Sequence, residues 1–223
     1  MMSDTMTQPL VTKPLSKIEL NPGSKIKIYD VNWQEFEGLL EEFGERRDVR
    51  IAYHQGTLEI ISPLPEHERS TVVISDLVKV ILRVQKQPWE SLRSTTLKRK
   101  TMAVGVEPDD CFYIKNYRAV IGKNRLDLDI DPPPDLAIET DVTSFTEISA
   151  YEALKVPEVW IYAQDVLTIN LFQGGKYIES QTSLIFPDLP IVELIPETIT
   201  KAKQIGISQA LEELESRLLT NKG

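Results

Sequence analysis

Between Pro132 and Tyr162 the chain reads PPPDLAIETDVTSFTEISAYEALKVPEVWIY, a buried strand, a capped helix and a second buried strand in succession. Leu136, Ala137 and Ile138 follow one another without a polar break, the texture of a core strand. Ser144 with Glu147 three residues on is a capping box, and it predicts a helix from Phe145 to about Leu154. Val159–Ala163 returns to a buried strand. A strand–helix–strand unit of this kind belongs to an α/β architecture. Glu139 and Asp141 close its first strand on one face, a position suited to a metal site or a catalytic acid.

With 223 residues, 41% hydrophobic and 26% charged, the chain supports one sizeable core of ordinary globular composition. No apolar run approaches the ~18 residues of a membrane span. The opening MMSDTMTQPLVTKPLSK lacks the layout of a secretory signal and reads as a flexible lead-in over residues 1–24. Cys111 is the single cysteine, which fits a reducing cytoplasm. With only His54 and His67 beside it, a structural zinc site of cysteine and histidine ligands is excluded. The net charge of −9, from 34 acids and 25 bases, excludes a surface that attracts nucleic acid as a whole. A local basic stripe exists in LRSTTLKRK, with Arg93, Lys98, Arg99 and Lys100. It reads first as a solvated strand end and second as a place to hold DNA.

Along the chain, Lys25–Ile28 is a strand, and Asp30 is the expected cap of a helix from about Asn32 to Phe43, stopped by Gly44. Val49–Tyr53 and Thr57–Ile61 flank a Gln55-Gly56 turn and predict a hairpin. Glu66 to Gln87 is the longest expected helix, with Val72, Val73, Leu77, Val80, Ile81 and Val84 as its apolar face. Trp89–Arg99, Cys111–Ile114 and Leu126–Ile130 read as strands, and Val166–Phe172 with Lys176–Glu179 as a hairpin around Gly174-Gly175. The tail is helical from Pro196 on, with Ile207, Ala210, Leu211, Leu214 and Leu218 on one stripe that packs onto its own domain. The order of elements predicts a single α/β domain at residues 25–185, a mixed sheet flanked by helices, and a C-terminal helical extension at 186–223 packed on it.

Three acidic constellations compete. Asp127, Asp129 and Asp131 fail as a calcium loop, because Pro132 and Ile138 stand where that loop needs Gly and Glu; they form the polar face of an exposed strand. Asp135 shares a strand face with Glu139, but four residues of strand span ~13 Å, too far for two ligands of one magnesium ion. Asp135 is a strand-start residue after Pro134. Asp109, ahead of the strand Cys111–Ile114, is the better partner: a hairpin returning through Leu126–Ile130 brings it beside Glu139. A third carboxylate, Glu66, opens the long helix, where it also suits the helix dipole.

The blocks SPLPEHE (Ser62–Glu68), EPDDCFYI (Glu107–Ile114), PPPDLAIET (Pro132–Thr140) and YEALKVPEVWIY (Tyr151–Tyr162) resemble, in the same order, the bacterial "putative restriction endonuclease" family of the PD-(D/E)XK nuclease-like superfamily. The resemblance spans about residues 30 to 180. It implies a restriction-endonuclease-like α/β core and hydrolysis of phosphodiester bonds with Mg²⁺ or Mn²⁺. It makes Asp109 the aspartate of the PD element, Glu139 the acid of the (D/E)XK element and Glu66 the helix glutamate. Asp109 and Glu139 would hold the ion, and Glu66 would orient a water. By analogy with such nucleases the expected assembly is a homodimer.

The chain departs from that pattern at the lysine. The residue two after Glu139 is Asp141. On the following helix, four residues before Tyr151, where relatives carry the lysine, stands Glu147; Phe145 offers no charge. Lys155 lies roughly 12 Å along the helix from Glu147 at 1.5 Å per residue. Two readings therefore stay open, an active metal-dependent endonuclease and a catalytically weakened member that binds nucleic acid or a protein.

Overall fold

Cap chemistry and turn glycines set the N-terminal elements of the computed structural model, which describes residues 14, 17–44, 49–140 and 145–220, the side chains of 65–67 and 145–147 apart. Strand β1 (Lys25–Ile28) leads into helix α1 (Trp33–Phe43). Its cap is Asn32 rather than Asp30. The Asn32 Oδ1 accepts the N–H groups of Gln34 and Glu35, and the Glu35 carboxylate accepts the N–H of Asn32, which satisfies the open helix end reciprocally. Asp30 instead takes φ 58° in the preceding turn. β2 (Arg50–His54) and β3 (Thr57–Ile61) form the expected hairpin. Gln55 and Gly56 supply its turn at φ 47° and 81°, the two positive values that a tight primed turn demands.

Helix α2 (Pro65–Gln85) begins on a proline, whose missing N–H would have had no helical partner there. It is buried almost all round by Val73, Ile74, Leu77, Val78, Ile81 and Leu82, whereas Val72 is exposed. The expected strand Trp89–Arg99 is two short ones, β4 (Glu90–Ser91) and β5 (Leu97–Arg99), parted where Arg93 takes φ 50°. They join different sheets. β6 (Val104–Val106) is a strand the sequence pattern did not reveal. A Cβ on its Gly105 would meet Phe36 Cζ at 2.6 Å, so the residue is glycine because the ring packs on the backbone.

The remaining strands are β7 (Asp110–Tyr113), β8 (Leu136–Thr140), β9 (Glu158–Ala163), β10 (Val166–Gln173) and β11 (Lys176–Ser180), with α3 (Phe145–Leu154) between β8 and β9. Leu126–Ile130 is not a strand. Its aspartates turn back on the chain: Asp127 Oδ1 accepts the N–H of Asp129, and Asp131 Oδ2 accepts the N–H of Asp127. Such local bonds compete with sheet pairing. The capping box at Ser144 and Glu147 lies outside the described residues.

Two sheets result, not one. The first, β1-β3-β2-β6-β5, is antiparallel throughout; the second, β11-β10-β9-β8-β7-β4, is mixed, with β8 parallel to β9 through α3. α1 covers the first sheet around Phe36 and Tyr53, whose rings stack 4.5 Å apart. α3 lies between the sheets, with Ala150, Tyr151 and Leu154 packed on Ala52, Val104 and Val106 from one and Tyr113, Ala137 and Val159 from the other. On the far face of the second sheet, Phe112, Leu136, Ile138, Trp160 and Ile169 pack under α2 and two C-terminal helices, α4 (Ile191–Ile205) and α5 (Ile207–Thr220). α4 starts before Pro196 and runs through it, held by buried Leu194, Ile195 and Ile199. Ala210, Leu214 and Leu218 of α5 are buried. No helix among the described residues is long and apolar enough to cross a membrane.

Candidate active site

The chain changes sheets between Val106 and Asp110, and that crossing places the first acid. Glu107 ends the first sheet: its N–H donates to Ile51 O, and its carboxylate accepts the N–H of Ile51 and the hydroxyl of Thr96. Asp110 begins the second sheet, opposite Ile138 in an antiparallel register that continues as Cys111 to Ala137 and Phe112 to Leu136. One step outward, that register sets Asp109 opposite Glu139. The backbone N–H of Asp109 donates to Glu139 Oε2 at 3.4 Å. Opposed residues of an antiparallel pair hold their Cβ atoms about 5 Å apart on the same face. Asp109 gets there from its own strand, without the return through Leu126–Ile130 that the sequence suggested.

Like charges opposed across a ladder are destabilising, and both are buried, Asp109 at 7% and Glu139 at 5% exposure. What offsets this is a ring of donors from four elements. Asp109 Oδ2 accepts the N–H and the hydroxyl of Thr140, at 2.7 and 2.6 Å. Asp109 Oδ1 accepts Arg50 Nε at 3.2 Å. Glu139 Oε1 accepts the hydroxyl of Tyr151, buried on α3. The Thr140 hydroxyl lies 3.2 Å from that of Thr71 on α2; since Thr140 spends its proton on Asp109, Thr71 is the donor there. Arg50 reaches on to Glu68 of α2, Nη2 to Oε1 at 3.0 Å.

Tyr151 thus braces Glu139 from the helix that follows it. Tyr151→Phe removes a hydrogen bond to a charged acceptor, and its expected cost is about 1.5–3 kcal/mol. Urea unfolding of the two chains, compared at equal m-values, measures it.

The other acids and bases fall elsewhere. Glu66 lies in the first turn of α2, its side chain outside the described residues, as is all of Asp141. Asp135 is structural: its Oδ2 accepts the N–H groups of Ile114, Lys115 and Asn116. Of the basic stripe, Lys98 is paired with Glu37 at 2.6 Å, and Arg99 donates to the carbonyls of Leu128 and Ala153. Lys155 follows the last residue of α3 at φ 59°. Cys111 is wholly buried, and that burial pushes its thiol far above the usual range; it offers no thiolate nucleophile. Among the described residues no set of three or more Asp, Glu, His or Cys side chains is gathered as for a metal ion. Two adjacent carboxylates are nonetheless the hard-oxygen donor set that suits magnesium, which keeps several waters and takes one or two protein carboxylates.

Arg50, Thr140 and Glu68 were not singled out by the sequence reading. The one signal for Arg50 was its place as the first residue of a hairpin strand.

The model of a family described as putative restriction endonuclease matches residues 33–202. No curated protein matches the chain. Among solved structures, that of a putative nuclease belonging to DUF820 from Anabaena variabilis is similar at a TM-score of 0.48 and 17% identity, over 81% of this chain and 99% of that one.

Proposed function

The chain belongs to the family of putative restriction endonucleases, and from that premise we propose that it is a divalent-metal-dependent endonuclease hydrolysing DNA phosphodiester bonds. The observation that carries the reading is the opposed, buried pair Asp109 and Glu139, supported by donors from Thr140, Tyr151 and Arg50. Nucleases of the restriction-endonuclease kind use divalent metals in general, and the donor set here fits one. Bound there, Mg²⁺ or Mn²⁺ would supply charge neutralisation at the phosphate and acidify a water.

The chain's own residues do the positioning. Thr140 fills the two acceptor directions of Asp109 Oδ2 and leaves Oδ1 to Arg50. Tyr151 fixes the rotamer of Glu139 from a helix that packs both sheets. Glu66, in the first turn of α2, takes the role of orienting the attacking water. Ligands held this way need no reorganisation at the moment of reaction.

The second reading, a weakened member that binds nucleic acid or a protein, draws on the net charge of −9 and on the acids Asp141 and Glu147 at both lysine positions. One experiment separates the two. Purified wild-type chain is expected to nick or linearise supercoiled plasmid with Mn²⁺ or Mg²⁺ and not with EDTA, and to bind Mn²⁺ in a calorimeter. Absence of both cleavage and Mn²⁺ binding removes the enzyme reading and leaves the binding module.

A further inference from the structure

We propose that Arg50 is the cation that engages the scissile phosphate, taking the role for which Asp141 and Glu147 leave no lysine; the assignment rests on the nuclease reading above. Arg50 comes from the opposite sheet, at the start of β2, yet its guanidinium sits on Asp109 of the pair. Two of its N–H groups are spent, one on Asp109 and one on Glu68. An arginine presents five donors in a flat fork that matches carboxylate and phosphate alike, so the fork has donors to spare.

The two contacts differ in kind. Asp109 is buried, with its side chain 9% exposed, whereas the Glu68 side chain is 42% exposed and the Arg50 side chain 18%. A contact to an exposed carboxylate is weak and readily exchanged. A phosphate oxygen arriving from the open side offers the same geometry and a stronger charge-assisted bond. Glu68 is therefore the resting partner that a phosphodiester replaces.

Asp109 supplies the second argument. Thr140 occupies Oδ2 twice, so a cation that binds Asp109 approaches Oδ1, the oxygen that Arg50 holds. Arg50 would therefore compete with a divalent ion for Asp109, and a guanidinium released from it would be free to face the phosphate. Removing the guanidinium removes a competitor of the metal while depriving the substrate of its clamp, so metal affinity and turnover move in opposite directions.

The test uses the full chain, calorimetric Mn²⁺ titration and cleavage of a linear duplex at saturating Mn²⁺. Arg50→Gln is expected to bind Mn²⁺ as tightly as wild type or tighter, while cleaving on the order of 100-fold more slowly, the scale of one lost charge-stabilising donor. Cleavage at the wild-type rate overturns the assignment, and so does loss of Mn²⁺ binding together with cleavage, which would make Arg50 a brace for Asp109 only. Should Arg50→Gln fail to fold, Arg50→Lys reads the same split: Mn²⁺ binding kept with cleavage lowered about tenfold supports the fork, and unchanged cleavage or lost Mn²⁺ binding overturns it. A wild-type chain that binds Mn²⁺ and cleaves nothing overturns the nuclease reading and this assignment with it. An active wild type with an equally active Arg50→Gln overturns this assignment alone.

Discussion

On the nuclease reading, Asp109→Ala and Glu139→Ala are each expected to lower Mn²⁺-dependent plasmid cleavage by about 10³-fold or more, because several kcal/mol of transition-state charge stabilisation would leave with the metal. Each variant also leaves donors behind in the fold. Asp109→Ala strands the N–H and hydroxyl of Thr140 in a buried site, at an expected cost of about 1–3 kcal/mol. Glu139→Ala strands the buried Tyr151 hydroxyl and the N–H of Asp109 in turn, at a similar expected cost of about 1–3 kcal/mol; either change also relieves the opposition of two like charges. Calorimetry with Mn²⁺ alongside urea unfolding tells site from scaffold: both variants are expected to lose metal binding while keeping a cooperative unfolding transition. A Glu139→Ala chain that still binds Mn²⁺ and cleaves would remove Glu139 from the site.

Trp160→Ala is the substitution expected to cost the fold most. Trp160 is wholly buried in the cluster under α2, α4 and α5, with its ring 6.0 Å from that of Phe186. Its indole N–H donates to Glu158 Oε1 at 2.5 Å. Truncating a buried Trp costs about 3–5 kcal/mol, and the acceptor it abandons adds about 1–3 kcal/mol. A domain holds only about 5–15 kcal/mol in all, so the variant is expected to be largely unfolded or insoluble. Glu158 sharpens the effect. Burial pushes its carboxyl above the usual range, against the opposing pull of donors from Ser183, Trp160 and the N–H of Leu184, so losing the indole N–H leaves the buried carboxyl less compensated. Trp160→Phe keeps most of the volume and loses the N–H; urea midpoints for the two variants divide the cavity from the hydrogen bond. A Trp160→Ala chain that unfolds near the wild-type midpoint would show the cluster to be far more tolerant than its burial implies.

Where a segment carried its own instructions, its residues were legible. β8 coincides with the apolar run Leu136–Ile138 and its two following residues, and α3 spans the expected Phe145–Leu154. The hairpin over Gln55-Gly56 needed only its turn. Leu126–Ile130 shows the opposite case. Its alternation has the period of a strand, but aspartate side chains bond the backbone two to four residues away and win over pairing. Trp89–Arg99 failed for a tertiary reason, since β4 and β5 serve different sheets, which no local pattern records. The candidate site divides along the same line. Asp109 and Glu139 stand out as acids at strand ends, whereas Arg50, Thr71 and Tyr151 matter only through contacts made 59, 69 and 12 residues away.

The sheet change between Val106 and Asp110 has a biological corollary. Glu139 belongs to the second sheet and Asp109 stands just ahead of it, the arginine belongs to the first, and the tyrosine to a helix wedged between them. A chain that has formed one sheet and not docked the other holds only part of the candidate site. On the nuclease reading, cleavage is expected to appear only once the two sheets have docked.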